Sequence, residues 1–365
     1  MQRLLCILSG MNAGGAETFL MKLYRNIDRT KYQFDFCVNV KEKCFYEDEI
    51  LSLGGKIYRI PSKTENLKEF KQQLTDLIRN NEYTYVLRIT SNAMGFLDLK
   101  IAKKAGAKVC CARSSNSSDG TGIKSKVAHM LGRLLYGKYV DVAFAPSDLA
   151  ASYTFGNKAY KNGKVHILHN AVDLDIFHYD VDARIKAREE LGVDSDVNVF
   201  GHIGRFMEQK NHMFLADIFK CVKEKNKNSV LLLVGDGDLK EQFEEKAIEL
   251  GIRDSIIFTG IRSDIPALLS AMDVFVFPSL YEGMPNTVIE AQATGLSCLI
   301  SNTITKEANI TDLVEYLPLS AAAEHWAQVA MQKLGQERSD TKQAFVDNKY
   351  DIQSLTKEFE KIIFD

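Results

Sequence analysis

The 365-residue sequence predicts an α/β protein of two similar units, each a parallel sheet covered by helices, joined by one linker. Three observations predict it. Short apolar runs alternate with amphipathic segments along most of the chain. The alternation breaks around residues 170–195 and then restarts. The length suits two or three domains, and 45% hydrophobic with 26% charged residues is ordinary for a globular chain.

In the first series "RLLCILSG" is a strand ending in glycine. "AETFLMKLYRNI" follows, with Phe19, Leu20, Leu23, Tyr24 and Ile27 at helical spacing. "QFDFCVNV", "YTYVLRIT", "AKVCCARS" and "DVAFAPS" are strands; "NLKEFKQQLTDLIRNN" and "FLDLKIAKKAG" are helical. "HNAVDLDIFHYDVDA" is rich in aspartate and has no clear period, so the linker falls there. In the second series "VNVFGHIG", "SVLLLVGDG", "SIIFTG", "DVFVFPS" and "SCLIS" are strands, separated by helical segments of which "NTVIEAQATG" is one. Two late helices, "AAAEHWAQVAMQKLG" and "DIQSLTKEFEKIIFD", complete the chain. The expected domains are 1–170, 171–345 and a final helix, 346–365, that packs back toward the first. Ligands of such sheets bind beyond the carboxyl ends of the strands, which makes a cleft between two facing sheets the natural place for a site.

No run of about 18 uncharged apolar residues is present, as a membrane span would need. "MQRLLCILSGMNAGG" reads as a first strand and not as a secretory signal. Seven dispersed cysteines without a C-x-x-C pair suggest reduced thiols and a cytoplasmic protein, and fit no zinc-ligand spacing. The net charge of −2 hides an asymmetry. Residues 1–170 hold 26 Lys+Arg against 15 Asp+Glu, and residues 171–365 hold 20 against 33. Either the halves attract each other across a cleft, or the basic half meets an anionic partner.

Three strand-end loops are suited to anions. Gly14 and Gly15 precede a helix start, where N–H donors and the dipole favour negative charge, although the spacing is not the dinucleotide fingerprint. An ordinary capped turn is the bland alternative. "GHIGRFMEQKNH" follows the first strand of the second half, and its Arg205 and Lys210 suit a diphosphate. "YEGMPNTVIEAQATG" puts Gly283 and Pro285 at another helix start, with Glu282 before it and Glu290 inside it. Acidic residues at a helix start are common in themselves. "VGDGDLK" reads as a turn with a helix cap at its aspartates, not as a metal site.

The set "GGAET" (14–18), "HNAVDLDIF" (169–177), "GRFMEQKN" (204–211) and "EGMPNTVIEAQATG" (282–295), in that order, resembles the retaining glycosyltransferases of family 4, with the GT-B fold. The phrasing is similar to bacterial enzymes of capsular and exopolysaccharide assembly. The resemblance implies two Rossmann-like domains and a nucleotide-sugar donor, with UDP favoured over GDP. Arg205 and Lys210 would hold its pyrophosphate, helped by the Met284, Pro285, Asn286 and Thr287 turn and by Gly15. Glu290 would take the ribose and Glu282, with Gly283, the transferred sugar; both carboxylates would face away from the cations. Gly260, Ile261 and Arg262 would flank the base. Retention without a metal or other cofactor is implied. Related enzymes often carry histidine after the strand corresponding to "AKVCCA". Here the loop reads "RSSNSS", and Arg113, Ser115 and Asn116 stand where an acceptor or the sugar would be touched.

"GIKSKVAHMLGRLLYGKYV" predicts a basic amphipathic helix. Residues 121–139 would pack on the core with a solvated face, or lie on an anionic membrane beside a polyprenyl-diphosphate-linked or glycan acceptor. Nucleic acid is not an expected partner. The rival readings are a sugar-nucleotide epimerase of the same fold and a non-catalytic nucleotide-sugar-binding protein.

Overall fold

The computed structural model describes residues 1–12, 14–115 and 123–365, for 123–125 the backbone alone. The chain forms two units. Residues 1–171 and 349–365 make the first, and residues 172–348 the second.

Among the described residues the first unit holds β1 (Gln2–Ile7), β2 (Tyr32–Val38), β3 (Ile57–Arg59), β4 (Tyr85–Thr90), β5 (Val109–Ser114), β6 (Val142–Ala145) and β7 (His166–Ile167). They pair in parallel in the order β3-β2-β1-β4-β5-β6-β7. The strands are apolar almost throughout because helices cover both faces. On one face Phe34, Phe36 and Phe144 pack with the helix Gly15–Asn26 and with the last helix, Ile352–Phe364. That last helix starts on Asp351, whose carboxylate accepts the Ser354 N–H at 2.8 Å, and it buries Leu355, Phe359 and Ile363. Tyr32 stacks on Phe364 at 4.2 Å. A Phe359→Ala change would cost about 3–5 kcal/mol.

The second unit holds β8 (Asn198–Ile203), β9 (Ser229–Val234), β10 (Ile256–Gly260), β11 (Val274–Phe277), β12 (Cys298–Ser301) and β13 (Val314–Leu317), in the order β10-β9-β8-β11-β12-β13 and again parallel. Its core gathers Phe200, Phe219, Phe243 and Trp326, and the Trp326 indole donates to the Pro318 carbonyl at 3.1 Å.

The linker expected at 170–195 contains a helix, Val181–Leu191. Asp180 caps it by accepting from the N–H groups of Asp182 and Ala183, and Gly192 ends it in the left-handed region. The helix is held by charge and not by an apolar stripe, which is why it has no period. Arg184 and Arg188 each reach Asp273 at 2.7 Å and also bond carbonyls around Ala271, while Val181 and Ile185 stay exposed. The short strands β3, β7 and β13 have no clear alternation and were not expected. The basic helix predicted over 121–139 is two pieces among the described residues, Ile123–Arg133 and Tyr136–Tyr139.

All seven cysteines are buried and free. Among the described residues no helix is long and apolar enough to cross a membrane.

Candidate active site

In the second unit β8 and β11 are neighbours, yet the chain leaves β8 toward β9 on one side and returns to β11 on the other. Such a reversal leaves a crevice at the carboxyl ends of the two strands. Their registered pairing covers Val274–Phe200 and Phe275–Gly201. The loops that follow, 204–211 and 278–285, carry the residues singled out in the sequence.

The first loop is shaped by its neighbour. Gly204 N–H donates to Val234 O at 2.9 Å, Phe206 N–H to Asp236 O at 3.0 Å and Leu239 N–H to Phe206 O at 3.2 Å. Gly237, at φ 155°, lies so close that a β-carbon would stand 2.9 Å from Phe206 N. The "GDG" turn is therefore glycine-rich because it presses on the Arg205 loop. Asp236 accepts the Gly237 N–H at 2.9 Å, as a turn residue does. The cap expected at Asp238 is not formed: the next helix, Lys240–Glu249, has Leu239 at its cap position and no side-chain cap. Arg205 is exposed, with the Asp238 carboxylate 4.0 Å away, a pairing worth little in water.

Gln209, Lys210 and Asn211 then grip the second loop at successive positions. Gln209 O accepts the Leu280 N–H at 2.8 Å, and its side-chain amide donates to Tyr281 O at 2.9 Å. Asn211, in the left-handed region at φ 55°, donates to Pro278 O at 3.1 Å. Lys210 Nζ meets Glu282 Oε1 at 2.7 Å; the two side chains are only 16% and 9% exposed. The ammonium also stands 4.6 Å from the centre of the Phe277 ring. The expectation that Glu282 faces away from the cations is thus overturned. Lys210 and Glu282 sit on loops knitted together by Gln209 and Asn211, in one unit, and are hydrogen-bonded. Sequence reasoning found Lys210 and missed the roles of Gln209 and Asn211. The available signal was three adjacent polar residues between a strand end and a helix start.

Beyond Glu282, Gly283 is exposed, and the helix Asn286–Ala293 has Pro285 at its cap position. Met284, Asn286, Thr287 and Glu290 are half-buried. Gln292, which the sequence did not single out, is buried and anchors the helix: it donates to Ala308 O at 2.7 Å and accepts from Ile310 and Thr311. At the end of β10, Gly260 has φ 68° and Ile261 is 84% exposed. Arg262 is already bound, to Asp264 at 2.6 Å and Glu190 at 2.8 Å.

The first unit disposes of its candidates differently. Gly14 is the cap residue of the helix Gly15–Asn26, and the Glu17 carboxylate occupies the space its β-carbon would fill. The negative charge at that helix start is therefore the chain's own, and burial raises the Glu17 pKa. Arg113 is 1% exposed. Its guanidinium lies 3.5 Å from the Phe19 ring centre and donates to Asn170 at 2.9 Å, and burial lowers its pKa to about 9. Arg113 has no surface to offer an acceptor, which corrects the expectation placed on it. Ser115 is half-buried and its N–H donates to Thr90 O at 2.9 Å; Asn116 lies outside the described residues. Among the described residues no group of His, Cys, Asp and Glu is placed to hold a metal ion.

Residues 197–331 match the family described as glycosyl transferases group 1. EpsF of Bacillus subtilis (strain 168), a glycosyltransferase by name, is 37% identical over 332 residues, which cover 90% of this chain and 86% of EpsF. The UDP-Gal:alpha-D-GlcNAc-diphosphoundecaprenol alpha-1,3-galactosyltransferase of Escherichia coli is 37% identical over 142 residues, 38% of this chain and 37% of that enzyme. Among solved structures, Anabaena Alr3699/HepE in complex with UDP-glucose superposes with a TM-score of 0.74 at 16% identity, covering 99% of each chain, a likeness of fold. Two parallel-sheet Rossmann-like units of the GT-B kind, with cations and carboxylates on the strand-end loops of the second, agree with the similarity to EpsF along nearly the whole chain: the protein belongs to the group 1 glycosyltransferase family.

Proposed function

We propose that this glycosyltransferase moves a hexose from a UDP-sugar to a glycan or lipid-diphosphate-linked acceptor in bacterial surface polysaccharide assembly, with retention of configuration and without a metal. The observation that carries the reading is the meeting of Lys210 and Glu282 at the β8–β11 crevice, with Arg205 exposed beside it. A diphosphate needs cations, and a sugar needs hydroxyl acceptors. This crevice supplies both on interlocked loops.

Breaking the anomeric C–O bond leaves negative charge on the diphosphate and positive character on the sugar. Arg205 and Lys210 stabilise the first. Glu282 accepts from a sugar hydroxyl and Glu290 from the ribose, while the exposed Ile261 offers an apolar face to the base. The acceptor oxygen attacks from the side the diphosphate leaves. Its proton passes to the departing phosphate oxygen, so the new C–O bond replaces the old on the same face. UDP-glucose in the HepE complex and the diphosphoundecaprenol acceptor of the galactosyltransferase support the two substrate classes. Incubation with UDP-hexoses and a lipid-diphosphate sugar, with and without a chelator, tests the reading. A β-configured product from an α-linked donor, or loss of transfer on chelation, overturns its mechanism.

A membrane-facing acceptor is supported by the helix Ile123–Arg133. Its inner side is fixed by His129, which accepts the Ala93 N–H at 3.1 Å, and by Gly132, whose missing side chain lets Ala93 approach. Its outer side exposes Val127, Met130 and Leu131, with Leu134 just beyond, next to exposed Lys126 and Lys138. Apolar residues flanked by lysines suit an anionic leaflet at the cytoplasmic face. Sedimentation with anionic vesicles at low salt should capture the protein, and neutral vesicles should not; equal recovery with both sinks this part.

A further inference from the structure

Beneath the Lys210–Glu282 pair lies a column of rings that the reaction as described does not use. Phe277 is under the Lys210 ammonium, His202 stacks on Phe277 at 5.2 Å, His212 meets His202 edge-on at 4.7 Å, and Phe206 stacks on His212 at 4.2 Å. His202 is fully buried and His212 is 2% exposed. Both are too costly to bury idly, because among the described residues His202 Nε2 and both ring nitrogens of His212 have no hydrogen-bond partner. A phenylalanine would fill such space without that penalty.

The tautomer of His202 follows from its one bond. Nδ1 lies 2.9 Å from the Val276 carbonyl, which can only accept, so Nδ1 carries the hydrogen. In a neutral ring Nε2 is then a bare lone pair. Burial is the main cause that keeps the ring neutral, with His212 and Lys210 adding to it. His202 Nε2 borders the space left open by Gly204. A β-carbon there would stand 3.0 Å from His202 Nε2 and 3.3 Å from Lys210 Cδ and Cε. The stem of Lys210 and the Nε2 of His202 therefore border the same small gap beside Gly204.

We propose that His202 is a positioning residue for Lys210. On arrival of an anionic diphosphate, the ammonium exchanges the Glu282 carboxylate for the neutral Nε2 of His202. The exchange matters electrically. Paired with Glu282, the lysine presents little net charge to a phosphate. Held by an uncharged acceptor, it presents its full charge, and Glu282 is released to accept from a sugar hydroxyl. The inference rests on the diphosphate reading of this crevice.

Two substitutions separate the two nitrogens. His202→Asn keeps a donor for the Val276 carbonyl and removes the acceptor at the Nε2 position. His202→Gln keeps an acceptor at the far position and loses the anchoring donor. UDP binding by calorimetry, thermal unfolding, and kcat and KM for transfer would be measured on both and on the unaltered chain. The expected result is a His202→Asn protein that unfolds near the unaltered temperature yet binds UDP and turns over about tenfold more weakly. His202→Gln should be less stable and closer to full activity below its melting range. Activity that simply follows stability, with Asn better than Gln, makes His202 structural and overturns the proposal. If His202→Gln does not fold, His202→Asn with unaltered UDP affinity and kcat overturns it alone. If the unaltered chain binds no nucleoside diphosphate, the diphosphate reading falls and this inference falls with it.

Discussion

The two units treat polar side chains near the ends of their strands differently. In the first unit the charged groups are mostly used internally, although Arg113 Nε is itself buried without a hydrogen-bond partner among the described residues. Arg113 is spent on Phe19 and Asn170, the Glu17 carboxylate fills the space above Gly14, and buried Asp98 is shared by Arg88 and Lys63 at 2.8 and 2.6 Å. In the second, Arg205 is left in solvent, and among the described residues three buried imidazole nitrogens beneath Lys210 have no hydrogen-bond partner. Satisfied polar groups stabilise a fold, whereas buried groups without partners cost free energy and persist where a bound state needs them. We read the first set as structural and the second as serving the proposed reaction.

The sharpest way to break this contrast is to remove one member of each set. Lys210→Ala should lower kcat by about 100-fold or more, in line with the loss of a preorganised charge at a departing phosphate. Arg113→Ala should leave transfer per folded molecule unchanged and cost about 3 kcal/mol of stability, measured by denaturant unfolding, through the loss of packing against Phe19. An inactive but fully stable Arg113→Ala protein would return Arg113 to the acceptor site.

Acid should expose the same difference. Burial, with Lys210 nearby, lowers the His212 pKa to about 4, below the usual 6.5, and burial lowers those of His202 and His169 as well. Above pH 6.5 these rings are neutral in folded and unfolded chains alike, and their burial adds no pH dependence. As pH falls from 6.5 toward about 4 the unfolded chain takes up the His212 proton and the fold does not, so stability drops. Below that the fold is protonated too, and the loss stops growing. For His212 the loss is about 3 kcal/mol. Unfolding followed from pH 7 to pH 4 should show the decline, and His212→Phe should make it shallower while His202 and His169 keep part of it. The smallest effect belongs to Arg205→Ala. Its stability should stay within about 0.5 kcal/mol of the unaltered chain, because the side chain is exposed. UDP affinity should fall about tenfold, readable by calorimetry.

The fold was legible because parallel sheets covered on both faces require short, continuously apolar strands separated by amphipathic helices, and that pattern is local. The Val181–Leu191 helix escaped because two arginines on Asp273, and not an apolar face, hold it in place. Arg205, Lys210, Glu282 and the Pro285 helix start were legible because glycine, proline and charge at strand ends carry a local signal. Their pairing was not. Lys210 and Glu282 are 72 residues apart, and the bonds that bring their loops together, from Gln209 to Tyr281 and from Asn211 to Pro278, span 72 and 67 residues.

By itself, then, the sequence determined the alternation of elements, the restart of the series and the residue types at the strand ends, since propensity and spacing act over a few neighbours. The tertiary structure alone decided which of those residues are spent and which are held ready. It buried Arg113 on Phe19, put Glu282 on Lys210, and left His202 Nε2 and both His212 nitrogens below without a hydrogen-bond partner among the described residues. Those outcomes depend on sheet order and on the β8–β11 crevice, where side chains distant in sequence compete for the same partners in a medium with little water to satisfy the losers.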